Sequence, residues 1–449
     1  MRDLRRWVLQ QRVFLPGMVV VFAALSGFAQ EPNQVTAADN SAAPLTLTLQ
    51  DAVARARANE PQYRAALTDY GVARQNTVQA RAGLLPNVSY SGRYLYTQGN
   101  GTSTGRYVGA NGVHEYVSEG NVHQSLSLQN AAEYRRSQAE EALAKARSEI
   151  AARGLVVTVV QAYYGFVVAQ RKYATAQRAA GEAGHFFDIT QKLERGGEVA
   201  RSDSIKAQLQ QQQQQRALQD AELEMERSRL DLAVLIFPNF NENFATVDDL
   251  ENVEPLASFQ EVEVAAGDHS PQLRVALAAL KAANQEVAVA WNSFLPSLGL
   301  DYFYGIDANQ FAVRDRNGFR NLGYEASATL QLPIWNWGAG YSKVKQAGMR
   351  RQQAHVELSF AQRRLLADLR SFYDETQTSR AQLESLSQTA ELAAESLRLT
   401  NLRYHAGEAT VLEVVDAQNT LTLARNAYDD GQVRFQVAQA NLQTLTGRF

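Results

Sequence analysis

From residue 47 onward the apolar positions recur three and four apart, the spacing of helices, except in two windows where they alternate with polar ones. Residues 47–84 read as a first helix, stopped by Gly83 and Pro86. From Val88 to Thr97 the period drops to two, with Val88, Tyr90, Tyr94 and Tyr96 on one face and Ser89, Ser91, Arg93 and Thr97 on the other. A Gly-, Asn- and Ser-rich loop over 99–120 leads to a second strand, in which Val122, Leu126 and Leu128 oppose His123, Ser125 and Ser127. Helical spacing then returns and holds over residues 131–195, with no proline and only Gly154, Gly165, Gly181 and Gly184 as interruptions. At about 1.5 Å per residue that helix spans roughly 95 Å. Gly196 and Gly197 turn the chain into a return helix over 200–236.

The second half replays this order at a fixed offset of 210 residues. Pro61-Gln62 and Arg64 return as Pro271-Gln272 and Arg274, Leu85-Pro86 as Leu295-Pro296, and Tyr94 as Tyr304. Gly197-Glu198 returns as Gly407-Glu408, Ala207-Gln208 as Ala417-Gln418, and Leu232 as Leu442. One offset over so long a stretch means a duplicated unit about half the chain long, not an array of short repeats. The expected organisation is therefore repeat 1 over 47–250, with strands about 87–129 and a helical hairpin 131–236. Repeat 2 covers 251–449, with strands about 297–333 and a hairpin 341–446.

Physical constraints narrow what these elements can do. The four strands are about ten residues long, with tyrosines near their ends and one apolar face, which suits a transmembrane β-strand. Two exposed soluble hairpins would read similarly. Four strands cannot close a membrane barrel, which needs about eight, and an open edge in lipid leaves backbone groups unpaired. Strands that enter a membrane here must be completed by other copies of the chain. The long helices carry a narrow seam, as at Leu383, Leu386, Ala390, Ala393 and Leu397, so they too must pack on other helices. The expected class is mainly α with a small β part, built on long antiparallel coiled-coil-like helices.

Met1–Gln30 reads as an export signal, with Arg2, Arg5, Arg6 and Arg12 before an apolar stretch, Phe14 to Phe28. Cleavage after Ala29 makes 1–29 the signal peptide and 30–46 an N-terminal tail. The absence of cysteine excludes disulfides, thiol chemistry and an N-terminal lipid anchor on cysteine. Beyond residue 30 the longest apolar run is Leu232 to Phe237, so no membrane-crossing helix is expected there. A net charge of −3 without a basic stripe argues against nucleic acid. Gly101-Thr102-Ser103-Thr104-Gly105 matches a hydrolase nucleophile pattern but lacks the strand–turn–helix context that chemistry needs. The six histidines show no metal spacing and no phosphate-binding loop appears, so neither enzyme activity nor cofactor is expected.

The assembled pattern resembles the TolC-like outer-membrane efflux proteins. The resemblance is carried by Leu330-Gln331-Leu332-Pro333-Ile334-Trp335-Asn336-Trp337-Gly338, by Arg403-Tyr404-His405-Ala406-Gly407, by Glu413-Val414-Val415-Asp416-Ala417-Gln418, and by the duplication itself. It implies a homotrimer with a twelve-stranded barrel in outer-membrane lipid and a hollow α-barrel in the periplasm. It also implies a periplasmic adaptor and an inner-membrane pump as partners in efflux or type I secretion. A soluble periplasmic coiled-coil scaffold or pump adaptor is the alternative, although an adaptor would carry one hairpin, not two. Glu413 and Asp416 lie three apart on one helix face, and the resemblance makes them the carboxylates of a periplasmic constriction. It also pairs Asp203 with Tyr404 as an entrance latch and places Gly196, Gly197 and Gly407 at the hairpin tips. Two departures stand out. The first strand-to-helix junction, Leu128-Gln129-Asn130-Ala131, lacks proline and is expected to be looser, and Ala409 stands where relatives place a locking arginine.

Overall fold

The computed structural model describes residues 45–96, 114–239, 242–251 and 255–447. The export signal, most of the N-terminal tail and the Gly101–Gly105 motif lie outside the described residues. In chain order the elements are β1 (Leu45–Leu47), α1 (Leu49–Asn59), α2 (Pro61–Ala82), β2 (Asn87–Tyr96), β3 (His114–Leu126), α3 (Leu128–Gly196) and α4 (Arg201–Ile236). They continue with β4 (Phe244–Thr246), α5 (Phe259–His269), α6 (Pro271–Asn292), β5 (Ser297–Ala308), β6 (Leu322–Gln331), α7 (Ala339–His405) and α8 (Val411–Thr446).

Local chemistry explains the helix boundaries, and it divides the expected first helix in two. Thr48 and Asp51 form a capping box that starts α1, and Glu60 then caps α2, accepting from the Tyr63 N–H at 2.5 Å. Pro61 sits at the first helical position, where its missing N–H costs nothing, but it forces Glu60 out of helical geometry. The second repeat uses the same devices, with a Ser258–Glu261 capping box and Ser270 before Pro271. α3 has 69 residues and runs unbroken through Gly154, Gly165, Gly181 and Gly184, as the uninterrupted spacing implies. Its propensity loss at each glycine, about 1 kcal/mol, is outweighed by packing along the rod.

The four long strands form one antiparallel sheet in the order β2–β3–β5–β6. β3 begins at His114, earlier than the expected strand at Val122, because Glu115, Glu119 and Gly120 are turn-like in composition yet occupy ladder positions. The register is continuous across rows: Val88 opposes Val122, Val122 opposes Tyr302, and Tyr302 opposes Ala326. One face therefore gathers Val88, Tyr90, Tyr94, Val122, Leu300, Tyr302, Tyr304, Tyr324 and Leu330. These side chains are exposed, Val88 by 73% and Tyr324 by 75%. The opposite face carries polar pairs, Arg93 with Glu115 at 2.5 Å and His123 with Asp301 at 2.7 Å. Gly305 lies where β3 and β5 approach closely: a Cβ there would fall 2.3 Å from the Ser118 carbonyl oxygen and 2.4 Å from Glu119 Cα. Gly305→Ala is expected to split the β3–β5 ladder and abolish recovery of folded protein in the membrane fraction. Gly323→Ala, whose Cβ meets nothing within 4 Å, is the tolerated control; equal recovery of both variants would refute the register.

The junctions differ from expectation. After β3, Ser127 accepts from the Asn130 N–H at 3.0 Å and α3 starts at once, so the first junction is the tighter one. After β6, Pro333 holds Leu332 out of the helical region, and residues 332–338 run on before Gly338, at φ 80°, starts α7. In this stretch Ile334, Trp335 and Trp337 are almost fully exposed.

The helices follow the same order as the strands. α2 packs on α3, α3 on α6 and α6 on α7, so the row α2–α3–α6–α7 continues the sheet row, and both rows have open ends. Toward the tips, α3 pairs with α4, α7 with α8, and α3 with α8. The main core lies at mid-length of α3, where Val159, Tyr163 and Val167 meet Leu232 and Ile236 of α4, Ala52 and Ala56 of α1, and Leu47 and Phe244. Each such aliphatic burial contributes about 1.5–3 kcal/mol. This part of α3 is apolar enough to cross a membrane by length and composition, and its Leu155, Val156, Val159, Val160 and Tyr163 lie in the core cluster. A parallel pair, β1 with β4, closes the core, and the Tyr163 hydroxyl holds it by accepting from the Val247 N–H at 3.0 Å and reaching the Leu47 and Val247 carbonyls.

Candidate functional site

Both hairpin tips end in the same backbone motif, because each has glycine where the chain must turn left-handed. Gly197 has φ 79°, with its N–H donating to the Glu194 carbonyl and the Glu198 N–H to the Leu193 carbonyl. Gly407 has φ 77°, with its N–H donating to the Tyr404 carbonyl and the Glu408 N–H to the Arg403 carbonyl. This 6→1 and 5→2 pattern satisfies the last carbonyls of α3 and α7 and reverses the chain within a few residues. Gly196 is the last residue of α3 and needs no left-handed geometry; Ala406 does the same work in the second tip.

The tips diverge in the next turn, and the sequence explains why. In the second, Thr410 and Glu413 form a reciprocal capping box: the Glu413 N–H donates to Thr410 Oγ1 at 3.3 Å and the Thr410 N–H to Glu413 Oε1 at 3.1 Å. Arg403 Nη1 reaches Glu413 Oε2 at 3.2 Å. In the first, Ala200 stands in the place of Thr410 and offers no side-chain cap, so Asp203 turns to Lys206 at 3.3 Å. The Thr410 backbone N–H, then its hydroxyl and Arg403, hold the Glu413 carboxyl below the usual carboxylate range. A lowered folded pKa gives a contribution that is complete above the unfolded value of about 4.3 and is lost as pH falls through the folded one. A spin label at Glu408→Cys, the only thiol in the chain, should therefore become mobile as acid takes the pH below the ordinary carboxylate range. Adding Glu413→Gln should remove that pH dependence; a label insensitive to pH in the first protein would contradict the capping role.

Glu413 and Asp416 are both exposed on one face of α8, with Leu412, Thr420 and Leu423. Asp203 and Tyr404, by contrast, form no hydrogen bond with each other. Tyr404 is buried, its ring 5.0 Å from Phe186 of α3, and its hydroxyl lies 3.4 Å from Thr190 Oγ1. Thr190 already gives its own proton to the Phe186 carbonyl at 2.8 Å, so Tyr404 is the donor in that contact. The physical reason for the changed partner is apolar: Tyr404 enters a cluster of Phe186, Ala207, Val411 and Val414, with Leu193 and Ala409 at its margin. Ala409 thus contributes methyl surface where an arginine would bring charge. Sequence reasoning missed Phe186 and Thr190, which lie more than 200 residues from Tyr404.

Arg171 is a second site missed from the sequence. Its Nε and Nη2 grip Asp248 at 2.5 and 2.7 Å, and its Nη1 reaches Asp429 at 3.3 Å and Gln432 at 2.6 Å. One guanidinium thereby joins the first hairpin, the connection after β4 and the second hairpin. Among the described residues no group of three or more His, Asp or Glu side chains could hold a metal.

A family model described as "Outer membrane efflux protein" matches residues 52–236 and again 264–448. The chain belongs to the outer membrane efflux protein family. Members are outer-membrane channels whose helical part stands in the periplasm. The chain is 26% identical over 423 residues to the alkaline protease secretion protein AprF of Pseudomonas aeruginosa, covering 89% of this chain and 84% of that one. It is 23% identical over 450 residues to the outer membrane protein TolC of Escherichia coli, covering 96% and 85%. Its fold superposes on the CmeC outer membrane channel of Campylobacter jejuni with a TM-score of 0.77 at 18% identity, covering 89% and 85% of the two chains.

Proposed function

We propose that three copies of this chain assemble into one exit duct, completed by a twelve-stranded barrel in the outer membrane and a helical barrel in the periplasm. The observation that carries this reading is the pairing of an exposed apolar sheet face with two open edges, β2 and β6, repeated by open helices α2 and α7 in the same order. A lone four-stranded sheet in lipid would leave both edges unpaired at several kcal/mol per group, whereas β6 of one copy against β2 of the next removes every edge. A soluble scaffold would have to leave Val88, Tyr90, Tyr324 and Leu330 in water, so the duct is favoured over that alternative. The polar face then lines the lumen and the export signal takes the chain across the inner membrane.

The duct catalyses nothing; energy comes from an inner-membrane pump, reached through a periplasmic adaptor at the hairpin tips. Similarity to a relative named for alkaline protease secretion supports a protein as one cargo of such a duct. At the periplasmic end, Glu413 and Asp416 of three copies form a constriction whose carboxylates attract cations. Single-channel recording in planar bilayers tests both levels. Purified mature protein should open trimeric pores, and Glu413→Gln with Asp416→Asn should raise conductance and weaken block by divalent cations. The amide at 413 retains the cap, so the comparison reads charge alone. No pores at all would remove the duct; pores with unchanged conductance would remove only the constriction.

A further inference from the structure

The turn between β5 and β6 carries three arginines, Arg314, Arg316 and Arg320, all exposed. Arg314 and Arg320 oppose each other across an antiparallel bridge, an arrangement of like charges that is unfavourable without a counter-charge. The acid between them is already committed. Asp315 Oδ1 accepts from the backbone N–H groups of Asn317 at 2.9 Å and Phe319 at 2.8 Å, which fixes the turn at Gly318, φ 87°. None of the three guanidinium groups makes a hydrogen bond or ion pair among the described residues.

The surroundings say what the missing counter-charge is attached to. Phe311, Val313 and Phe319 are exposed on the same turn, by 66%, 52% and 72%. The Phe311 ring lies 6.2 Å from Tyr116, whose row, Tyr94 and Ala308, belongs to the apolar face. Tyr96, His114, Tyr94, Tyr116 and Phe311 make a continuous run of ring contacts at this end of the sheet. Trp335 and Trp337 stand beyond the other end, after β6. Aromatic belts mark the two membrane–water interfaces of a barrel, so the three arginines stand just beyond the outer belt, at headgroup level. Guanidinium forks match phosphate oxygens bidentately, and the neighbouring rings suit acyl chains.

We propose that this turn binds the phosphate-bearing headgroup of an outer-leaflet lipid, its acyl chains lying along Phe311, Val313 and Phe319. The proposal rests on the outer-membrane reading of the sheet. The test uses mature protein in a zwitterionic detergent, titrated with dioleoyl phosphatidic acid, with phosphatidylcholine and with inorganic phosphate, binding being counted by native mass spectrometry. Wild type should hold phosphatidic acid in preference to phosphatidylcholine. Arg314→Gln, Arg316→Gln and Arg320→Gln together should weaken phosphatidic acid roughly a hundredfold and leave phosphatidylcholine unchanged. Replacement of all three by lysine should restore part of the loss. Equal retention by the glutamine variant overturns the proposal, as does complete displacement by inorganic phosphate as tight as the lipid, which would mean a bare anion site. Pore conductance is recorded for each variant: lost lipid binding with wild-type conductance isolates the turn, whereas lost conductance throughout would strike the duct instead. The single variant Arg316→Gln, at the exposed tip, gives the same readout at smaller amplitude if the triple variant fails to assemble.

Discussion

Tyr404→Ala is expected to loosen the periplasmic entrance more than any other single change at the tips, at a cost of about 3–4 kcal/mol to hairpin docking. The side chain is only 8% exposed and fills the space between Phe186 of α3 and the Val411–Val414 turn of α8. Removing the ring deletes the contact by which the second hairpin holds the first at this level. Tyr404→Phe keeps the ring and loses a hydroxyl contact of 3.4 Å, so it should cost no more than about 0.5–1 kcal/mol. Asp203→Ala should be nearly silent, because Asp203 bonds to Lys206 and not to Tyr404. Resting conductance in planar bilayers and amide exchange over residues 186–193 read the three variants together. If phenylalanine leaked as much as alanine, a polar latch through the hydroxyl would be restored and the apolar account of the entrance would fail.

That ordering of effects differs from what the residues alone suggest, and the reason is range. The long helices are legible because Ala, Gln, Glu, Arg and Leu leave the chain little else to do and proline is absent between them. The sheet is legible because Val88, Tyr90, Tyr94 and Tyr96, and again Leu298, Leu300, Tyr302, Tyr304 and Ile306, fall on every second position, with Leu95 and Phe303 the apolar exceptions on the other face. The left-handed turns at Gly197 and Gly407 are legible for a steric reason local to one residue. What could not be read depends on partners far away in sequence. β1 and β4 have three residues each, too few for a periodic signal, and they pair only because α3 delivers the Tyr163 hydroxyl between them. Tyr404 looks like a hydrogen-bonding residue in its own segment, and only the packing of α3 beside it makes it a core residue. The first junction defies its expectation for a local reason: it lacks proline, yet Ser127 caps α3 and starts it at once, whereas Pro333 delays the start of α7.

Arg171→Ala should be the most destabilising change away from the tips. It removes a charged group that touches three separate segments and leaves Asp429, with a side chain only 10% exposed, without its guanidinium partner. Truncating one member of a buried charged pair costs about 3–5 kcal/mol; partial exposure of Asp248 brings the expectation to roughly 2–4 kcal/mol. Burial opposes the charge on Arg171, yet its bonds to Asp248 and Asp429 raise its pKa overall. For Asp429 burial wins: its pKa is raised even with Arg171 in place, and without the guanidinium it should rise further. An acid with a raised folded pKa destabilises the fold when ionised, so its penalty is absent below the unfolded value of about 3.9 and grows as pH rises through the folded one. The loss in Arg171→Ala should accordingly be full at pH 7 and shrink toward pH 4, and Asp429→Asn added to it should recover part of the stability at pH 7. Chemical denaturation of the detergent-solubilised protein, followed by helical circular dichroism at both pH values, gives the comparison. A deficit equal at pH 7 and pH 4, unrelieved by Asp429→Asn, would mean that Arg171 acts through its packing alone and that the joint between the two hairpins is not electrostatic.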